Sequence, residues 1–173
     1  GADAFGVIPD VMTMAKALTN AAQPMGAVAV SDKVHSTILE AAPEGAVEFF
    51  HGYTYSAHPA ACAAGLATMD LFEKEGLVGR AEALSPYFLD QVFALSDIPL
   101  VTDIRGYGLF AGVDLEPMGN PGVRGMDFQK RLFKNGLHIK MTGDAALLAP
   151  PLVSERHHVD RICEVIRETL AEY

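Results

Sequence analysis

The sequence of 173 residues contains no tryptophan and only two cysteines, Cys62 and Cys163. The cysteines lie far apart in the chain and form no CxxC pattern, so the sequence predicts neither a disulfide framework nor a zinc site. Proteins that work without disulfides are typical of reducing compartments, and we therefore expect a cytoplasmic location.

Long apolar runs and an excess of basic residues are also missing. No stretch of about 18 apolar residues occurs, so no transmembrane helix is predicted, and no basic segment followed by an apolar one indicates a secretory signal. The 13 lysines and arginines are outnumbered by 22 aspartates and glutamates, which gives a formal net charge of −9. Such a chain has no general attraction for phosphate backbones or anionic lipids, so we expect neither nucleic acid nor a membrane as a partner.

The sequence contains enough apolar residues for a sizeable core, since 50% of its residues are hydrophobic.

The chain opens on Gly1 instead of a methionine, and its first residues (GADAFG) resemble the middle of a protein, so we expect a piece of a longer one. Residues 27–31 predict a strand buried on both faces, and the alanine- and glycine-rich residues 59–75 predict a closely packed helix. This first region, residues 1–75, has the pattern of the end of a larger α/β domain.

Residues 76–173 follow a different pattern, in which helices alternate with short strands. It indicates an α+β layer of helices against a small sheet. Ser85 and Pro86 are expected to break the start of the first helix, and residues 105–108 are predicted to form a hairpin-like connection. The elements behind this prediction are helices at 79–95, at 125–134 and after an N-cap at Ser154, and strands at 100–104, 109–115, 137–141 and 146–149.

Lys16 is the first candidate for chemistry, because it is the only charged residue in the stretch 11–20. An amine in apolar surroundings is expected to be partly desolvated, which lowers its pKa and makes the neutral nucleophile available. A lysine that forms a Schiff base needs such an environment. The alternative is a lysine whose amine reaches solvent from the end of a strand, and the residues alone leave both interpretations open.

The segment 50–59 (FHGYTYSAHP) is the second candidate, because it combines hydroxyl groups with the start of a helix. Proline is well tolerated at the first helical position, so the helix is predicted to begin at Pro59. Free backbone N–H groups and the helix dipole favour an anion there, which indicates a phosphate site. The alternative is that Ser56 or Thr54 only caps the helix while the tyrosines fill a core.

Taken together, the two segments resemble the lysine segment and the phosphate-contact segment of the class III aminotransferases, which are pyridoxal-phosphate enzymes of fold type I. Thr54 follows Lys16 by 38 residues, about the separation that the family shows. The resemblance covers essentially the whole chain and is closest to the ω-amino acid (β-alanine):pyruvate branch. Its four landmarks, in the family's order, are residues 10–20 (DVMTMAKALTN) with 23–27 (QPMGA), 51–55 (HGYTY) with His58 and Pro59, 104–109 (IRGYGL), and 143–144 with 149–152.

The resemblance implies an architecture of α/β and α+β parts. Residues 1–75 are the C-terminal part of the large domain that binds pyridoxal 5′-phosphate, and residues 76–173 are the small C-terminal domain. By the same similarity, Lys16 holds the cofactor as a Schiff base and moves a proton between substrate and cofactor carbons. Thr54 binds the cofactor phosphate and reaches across a dimer interface into the neighbouring subunit's site, so a homodimer is the smallest expected assembly, with higher homo-oligomers open.

Lys140 departs from the family pattern. Aligned on the Gly143–Asp144 landmark, it stands where amino-acid-specific members carry an arginine that grips the substrate carboxylate. Lysine keeps the charge but lacks the planar, bidentate guanidinium. We therefore expect Lys140 to bind substrate carboxylates more weakly or less selectively, which leaves donors without an α-carboxylate open, and the alternative is an ordinary surface lysine.

The activity implied by the resemblance is a ping-pong transfer of an amino group from a β-alanine-like ω-amino acid or an amine to a 2-oxo acid such as pyruvate. The aspartate that faces the cofactor nitrogen and the glycine-containing phosphate loop are expected upstream of Gly1, so the chain alone is expected to be inactive. Two alternatives stay open. One is a non-catalytic fragment or pseudoenzyme that serves as a dimerisation module, and the other is a class III aminomutase or decarboxylase.

Three further residues are predicted to be structural. Arg105 is interpreted as a hairpin or interface residue, and His51 and His58 as packed or capping residues. No metal site is predicted, because no carboxylate or thiol stands at ligand spacing from the histidines.

Overall fold

The computed structural model describes residues 1–46, 49 and 51–173, and Phe50, the first residue of the predicted anion segment, lies outside the described residues. The chain divides into two units, Gly1–Glu75 and Gly76–Tyr173. The assignment of these regions to a large and a small domain stays a prediction. Among the described residues, no helix combines the length and the apolar composition needed to span a membrane.

The first unit is built on a two-stranded antiparallel ribbon with helices after it. Its strands pair from Val11 opposite Val30 to Ala15 opposite Gly26. Ser31 begins the first helix, since its hydroxyl accepts a hydrogen bond from the Val34 N–H. The elements of the unit are β1 (Val11–Ala15), a 3₁₀ turn (Lys16–Leu18), β2 (Gly26–Val30), α1 (Asp32–Glu40) and α2 (Pro59–Lys74).

The prediction of a strand buried on both faces is wrong for β2 as the structure describes it. Val28 is 65% exposed, and Val30 is exposed as well. The strand has the small and β-branched composition of a central strand, but within the described residues its only pairing partner is β1. Composition therefore predicts the strand correctly and its burial incorrectly, because burial depends on what covers the ribbon.

The close packing predicted for the alanine- and glycine-rich helix is confirmed at α2. A Cβ atom added at Gly65 would lie 3.5 Å from Met25 Sδ and 3.6 Å from the Leu18 carbonyl oxygen. Ala61 and Thr68, one turn to either side, are buried as well. The small residues thus let α2 lie against the segment that follows Lys16.

The second unit confirms the predicted layer of helices against a small sheet. The four strands are antiparallel in the order β3-β4-β6-β5. Three helices and the sheet share one core, whose centre includes Phe88, Phe128, Leu148 and Ile166. The elements are α3 (Leu77–Phe93), a 3₁₀ turn (Ala94–Asp97), β3 (Val101–Tyr107), β4 (Phe110–Leu115), α4 (Val123–Lys134), β5 (Lys140–Thr142), β6 (Ala145–Leu148) and α5 (Arg156–Leu170).

Two local predictions about helix ends are wrong. Pro86 lies inside α3 and does not break it, because Leu84 and Phe88 on either side are buried in the core and hold the helix together. The N-cap of α5 is Glu155 instead of Ser154, and the Glu155 N–H donates to His158 Nδ1 at 3.0 Å.

The connection between β3 and β4 is shorter than predicted. Arg105 and Tyr107 belong to β3 itself, with Tyr107 paired to Phe110. The turn is made by Gly108 and Leu109, and Gly108 has a φ of +60°, which glycine adopts without strain. Arg105 therefore lies on the face of a strand instead of in a loop.

Candidate active site

Lys16 stands at the point where β1 ends and a strained turn begins. Its φ is +55°, and Asn20 and Ala21 in the same turn have φ values of +49° and +60°. Residues other than glycine rarely adopt this left-handed region, and such strain is concentrated at functional sites. Three strained residues within one short turn mark this segment as a candidate site.

Hydrogen bonds hold the backbone of this turn. The Lys16 carbonyl accepts from the N–H groups of Thr19 at 3.3 Å and of Ala21 at 3.4 Å. The Thr19 side chain is 2% exposed, and its hydroxyl donates to the Gln23 carbonyl at 2.5 Å. The turn from Lys16 to Gln23 is thus closed at both ends, which compensates for its strained dihedral angles.

The Lys16 side chain itself is exposed, so the expected partial burial is wrong for the residues that the structure describes. Lys16 follows the last residue of β1, and within the described residues β1 pairs only with β2. The side chain lines a cavity of about 240 Å³ whose other walls are Thr19, Ala21 and the turn of Gln23, Pro24 and Met25. The amine is therefore accessible to a small molecule.

The hydroxyl-rich loop lines a second cavity, of about 480 Å³. Gln23, Pro24 and Met25 belong to the walls of both cavities. The walls also include Ser56 and, from α2, Ala61 and Cys62. The cavity beside Lys16 and the cavity beside the hydroxyl-rich loop thus share the turn of Gln23, Pro24 and Met25 as a wall.

Thr54 is exposed and is not among the residues that line either cavity. The alternative role, a cap for α2 above a core of tyrosines, is wrong. The N-cap is His58, which makes no side-chain capping hydrogen bond, and the Ser56 hydroxyl accepts from the Tyr53 N–H at 2.9 Å instead. Tyr53 and Tyr55 are 77% and 80% exposed. The hydroxyl of Thr54 is therefore available for a ligand.

Lys140 is the first residue of β5 in the second unit and is exposed. It lies opposite Leu147 on β6. Leu147 lies opposite Gly112 on β4, and Gly112 opposite Arg105 on β3, so these four residues form one row across the sheet. Lys140 lines a cavity of about 580 Å³ together with His138, Gln129 and a stretch of β6 and the loop after it. The structure therefore places Lys140 beside an open, largely apolar cavity.

Arg105, at the other end of this row, is hydrogen-bonded to two carboxylates. Its guanidinium donates to both oxygens of Asp114, at 2.7 and 3.0 Å, and to Asp103 at 2.8 Å. The hydrogen bonds to Asp114 and then to Asp103 raise the pKa of Arg105 above its ordinary value. These contacts lie within the β3–β4 hairpin, in agreement with the structural role predicted for this residue.

Two residues to which the sequence assigned no role make hydrogen bonds close to Lys140: Asp144, which belongs to the Gly143–Asp144 landmark, and Gln129. The Asp144 carboxylate accepts from the N–H groups of Gly122 at 2.8 Å and of Gly125 at 2.9 Å, at the start of α4. These backbone donors lower the pKa of Asp144 below its ordinary value, so the carboxylate is ionised at neutral pH. Gln129 Nε2 donates to the Ile139 carbonyl at 2.8 Å. The only sequence feature that points to the Asp144 contact is the Gly-Asp pair at 143–144, with two glycines about twenty residues before it.

Comparison with known proteins shows which family the chain resembles. The sequence model described as "Aminotransferase class-III" matches residues 1–170. The chain is 48% identical over 172 residues to an omega-aminotransferase of Caulobacter vibrioides, with 99% of this chain and 39% of that protein covered. It is 41% identical over 172 residues to a beta-alanine–pyruvate aminotransferase of Pseudomonas aeruginosa, with 98% and 38% covered.

Solved structures show the same similarity. A transaminase with L-ala has a TM-score of 0.94 at 28% identity, with 99% of this chain and 42% of that chain covered. An omega transaminase from Pseudomonas jessenii in complex with PMP has a TM-score of 0.90 at 29% identity, with 99% and 39% covered. These matches confirm the predicted fold class. The chain spans about 39% of the length of the curated relatives it matches.

Proposed function

Because the chain belongs to the class-III aminotransferase family, we propose that its full-length protein transfers an amino group from a β-alanine-like ω-amino acid or an amine to a 2-oxo acid such as pyruvate. The observation that carries the proposal is the placement of Lys16. It lies in a strained turn at the end of β1 with an accessible amine. The substrate class is supported by the relatives named as omega-aminotransferase and beta-alanine–pyruvate aminotransferase.

The family depends on pyridoxal 5′-phosphate, and two features of the first unit fit this cofactor. The cofactor forms a covalent bond to a lysine, and Lys16 offers an exposed amine beside a cavity of about 240 Å³. The cofactor also carries a phosphate, and the exposed Thr54 lies in a loop that leads into the N-terminus of α2. Helix starts and hydroxyl groups are favourable partners for phosphate.

Lys16 is the residue that reacts in this proposal. Its backbone is held by the hydrogen bonds of the turn, so the side chain can change position while the strand end stays fixed. Pyridoxal phosphate, when bound, supplies the electron sink that stabilises charge on the substrate carbon. Lys16 Nζ, as a free amine, accepts a proton from that carbon and later donates it again. One amine therefore serves both to bind the cofactor and to move the proton.

Thr54 binds the cofactor phosphate in a neighbouring subunit's site, and a homodimer is the working unit of the proposal. The support is the exposure of Thr54 together with apolar side chains on the outer surface of the same unit. Leu66 and Met69 on α2 are 66% and 62% exposed. Apolar residues exposed together on one helix are typical of a surface that is covered in an assembly.

The role of Thr54 predicts a change in cofactor affinity. Thr54→Ala is expected to raise the dissociation constant for pyridoxal phosphate about tenfold in the full-length protein, because one hydrogen bond to a charged phosphate is lost. Thr54→Ser keeps the hydroxyl and is expected to stay within about threefold of the unmodified protein. A cofactor titration followed by absorbance measures both constants, and equal constants for all three proteins would contradict the role.

Mixed dimers of Lys16→Ala and Thr54→Ala subunits test whether Thr54 acts across the interface. If it does, each mixed dimer contains one site in which both residues are intact. If Thr54 acts within its own subunit, every site lacks one of them. Two purification tags isolate the mixed dimer, and turnover is measured at a cofactor concentration that leaves the Thr54→Ala dimer mostly empty. Restored turnover in about half of the sites is expected, and none would place Thr54 in its own subunit.

Lys140 contacts the carboxylate of the amino donor or acceptor. Its exposed ammonium group beside the cavity of about 580 Å³ supports this role. A single ammonium group binds a carboxylate as a point charge, without the two parallel hydrogen bonds of a guanidinium. We therefore expect the protein to accept simple amines as donors alongside ω-amino acids.

The Lys140 role predicts a change in donor preference. Lys140→Arg is expected to increase kcat/KM for β-alanine relative to that for 1-propylamine about five- to tenfold, because the bidentate contact favours the carboxylate. Lys134→Arg, the same exchange at an exposed position of α4, serves as the control and is expected to leave the ratio unchanged. The ratio is measured with pyruvate as the acceptor. If Lys140→Arg and Lys134→Arg gave the same ratio, Lys140 would not be part of the donor site.

The activity itself is tested with the full-length protein, β-alanine and pyruvate. The expected product is alanine, formed in step with the loss of β-alanine. A ping-pong exchange also predicts half-reactions, so alanine and labelled pyruvate alone should exchange label without β-alanine present. Absence of both the net reaction and the exchange would reject the proposed transamination.

A cytoplasmic location completes the proposal. The support is the small number of cysteines, two in 173 residues, which are not paired with each other. Burial, together with the nearby Asp160, raises the pKa of the Cys163 thiol to about 11. This cysteine is therefore unreactive at neutral pH and serves as a core residue.

A further inference from the structure

The strand that carries Lys140 is short and weakly held by the sheet alone. β5 consists of the three residues Lys140–Thr142 and lies at the edge of the sheet, with β6 as its only partner among the described residues. A charged group that recognises a substrate works well only when the surrounding structure fixes its position. The contacts that fix this edge strand must therefore come from outside the sheet.

The first such contact lies after β5. Asp144 stands in the turn between β5 and β6, and its carboxylate binds the backbone N–H groups of Gly122 and Gly125 at 2.8 and 2.9 Å. The turn lies so close to α4 that a Cβ atom at Gly125 would be 2.0 Å from the Gly143 carbonyl oxygen. The carboxylate therefore ties the end of β5 to the start of α4.

The second contact lies immediately before β5. Gln129, about one turn beyond Gly125 in α4, donates from Nε2 to the Ile139 carbonyl at 2.8 Å. Ile139 precedes Lys140, and its side chain belongs to the buried core. The residue on the N-terminal side of Lys140 is thus fixed by a side chain of the same helix.

α4 is well suited to serve as a fixed support. Phe128 and Leu132 are fully buried in the core. Arg124 at the start of the helix donates to the Glu116 carbonyl, and Arg131 near its end pairs with Glu172 at 3.1 Å. The helix is therefore held at its middle and near both ends. The Asp144 carboxylate and the Ile139 carbonyl, which bind to α4, are held in place with it.

We propose that Asp144 and Gln129 are positioning residues, which hold Lys140 from both sides against α4 and so set the protein's preference for carboxylate-bearing substrates. The inference rests on the proposed contact between Lys140 and the substrate carboxylate. Asp144 is not among the residues that line the cavity beside Lys140, and the Gln129 amide, which does line it, donates to the Ile139 carbonyl. Each acts through the backbone next to Lys140, so losing either contact lets the edge strand move and weakens carboxylate binding alone.

Two variants of the full-length protein test the two contacts separately. Asp144→Asn keeps the size of the side chain but places an amide where an ionised carboxylate binds two N–H groups, and Gln129→Leu removes the donor to Ile139. Asp90→Asn, at an exposed position of α3, is the matched control. The probe is propionate, which has a carboxylate but no amino group, and its dissociation constant is measured by isothermal titration calorimetry.

We expect the propionate dissociation constant to rise roughly tenfold in Asp144→Asn and several-fold in Gln129→Leu, with no change in Asp90→Asn. Hydrogen exchange of the amides in residues 139–147 should become faster in both variants. The kcat/KM for 1-propylamine should stay unchanged, because in a ping-pong reaction it reports only the half-reaction with the amine, which carries no carboxylate. A general loss of structure would instead raise the propionate dissociation constant and lower the kcat/KM for 1-propylamine together.

Lys140→Ala separates the failure of this inference from the failure of the proposed Lys140 contact. If Lys140→Ala weakens propionate binding but both positioning variants bind propionate normally, the inference is overturned and the Lys140 contact stands. If Lys140→Ala binds propionate normally, the contact is rejected and the inference with it. Weakened binding in Lys140→Ala and in both positioning variants, with unchanged 1-propylamine kinetics, supports the inference.

Discussion

Lys16→Ala in the full-length protein is expected to lower the rate of amino transfer by at least about 10³-fold. The substitution removes the amine that we propose to bind the cofactor and move the proton, and no other lysine lies in the segment between Lys16 and the end of β2. The turn itself should remain, because it is held by the Thr19 hydroxyl and by backbone hydrogen bonds. The rate is measured with β-alanine and pyruvate at saturating pyridoxal phosphate.

Borohydride reduction gives a second measurement that does not depend on turnover. In the unmodified protein, reduction in the presence of pyridoxal phosphate should leave the cofactor on the peptide that contains Lys16. Lys33→Ala, at an exposed position of α1, is the control and is expected to label and to turn over normally. Normal turnover by Lys16→Ala, or a label on a different lysine, would show that Lys16 does not carry the cofactor.

The lysine segment illustrates how far the sequence alone could predict the site. The chemistry proposed for Lys16 rests on residue types and on the resemblance of residues 10–20 to a known family. Its surroundings did not follow, because burial depends on contacts that no local pattern encodes. The strained dihedral angles of Lys16, Asn20 and Ala21 were equally unpredictable, since none of these residues is a glycine that would signal a left-handed turn.

Elements set by local patterns were predicted well. The helix predicted at 59–75 is α2, Pro59–Lys74, because its proline start and its alanine-rich body are local signals. Pro86 shows the opposite case, in which the sequence predicted a break and the buried neighbours kept α3 continuous. Local propensity is a weak preference that core packing overrides.

The Asp144 contact could not be predicted from any local pattern. Its two partners, Gly122 and Gly125, precede it by 22 and 19 residues. A helix lies between them in the chain, so only the folded structure brings the turn and the helix start together. The sequence contains the glycines that allow the Gly143–Asp144 turn to approach α4 closely. The structure is needed to show that these residues are in contact.

Gly125→Ala is therefore the substitution in the second unit with the largest expected effect on stability. The new Cβ atom would lie 2.0 Å from the Gly143 carbonyl oxygen and 3.2 Å from Asp144 Cα. Both neighbours are backbone atoms, so no side-chain rotation relieves the clash and the turn must move away from α4. Overpacking and the loss of the Asp144 cap together are expected to cost about 3 kcal/mol. The midpoint of thermal unfolding of the full-length protein should fall by roughly 3 °C.

Gly79→Ala is a matched control, because Gly79 and Gly125 both occupy the third position of a helix, α3 and α4 respectively. No heavy atom lies within 4 Å of a Cβ atom added at Gly79. Alanine there should stabilise the helix by up to about 1 kcal/mol and raise the unfolding midpoint slightly. Opposite shifts for the same exchange would show that the contact with the Gly143–Asp144 turn, not helix propensity, requires glycine at position 125. Shifts in the same direction would contradict the close approach of the turn to α4.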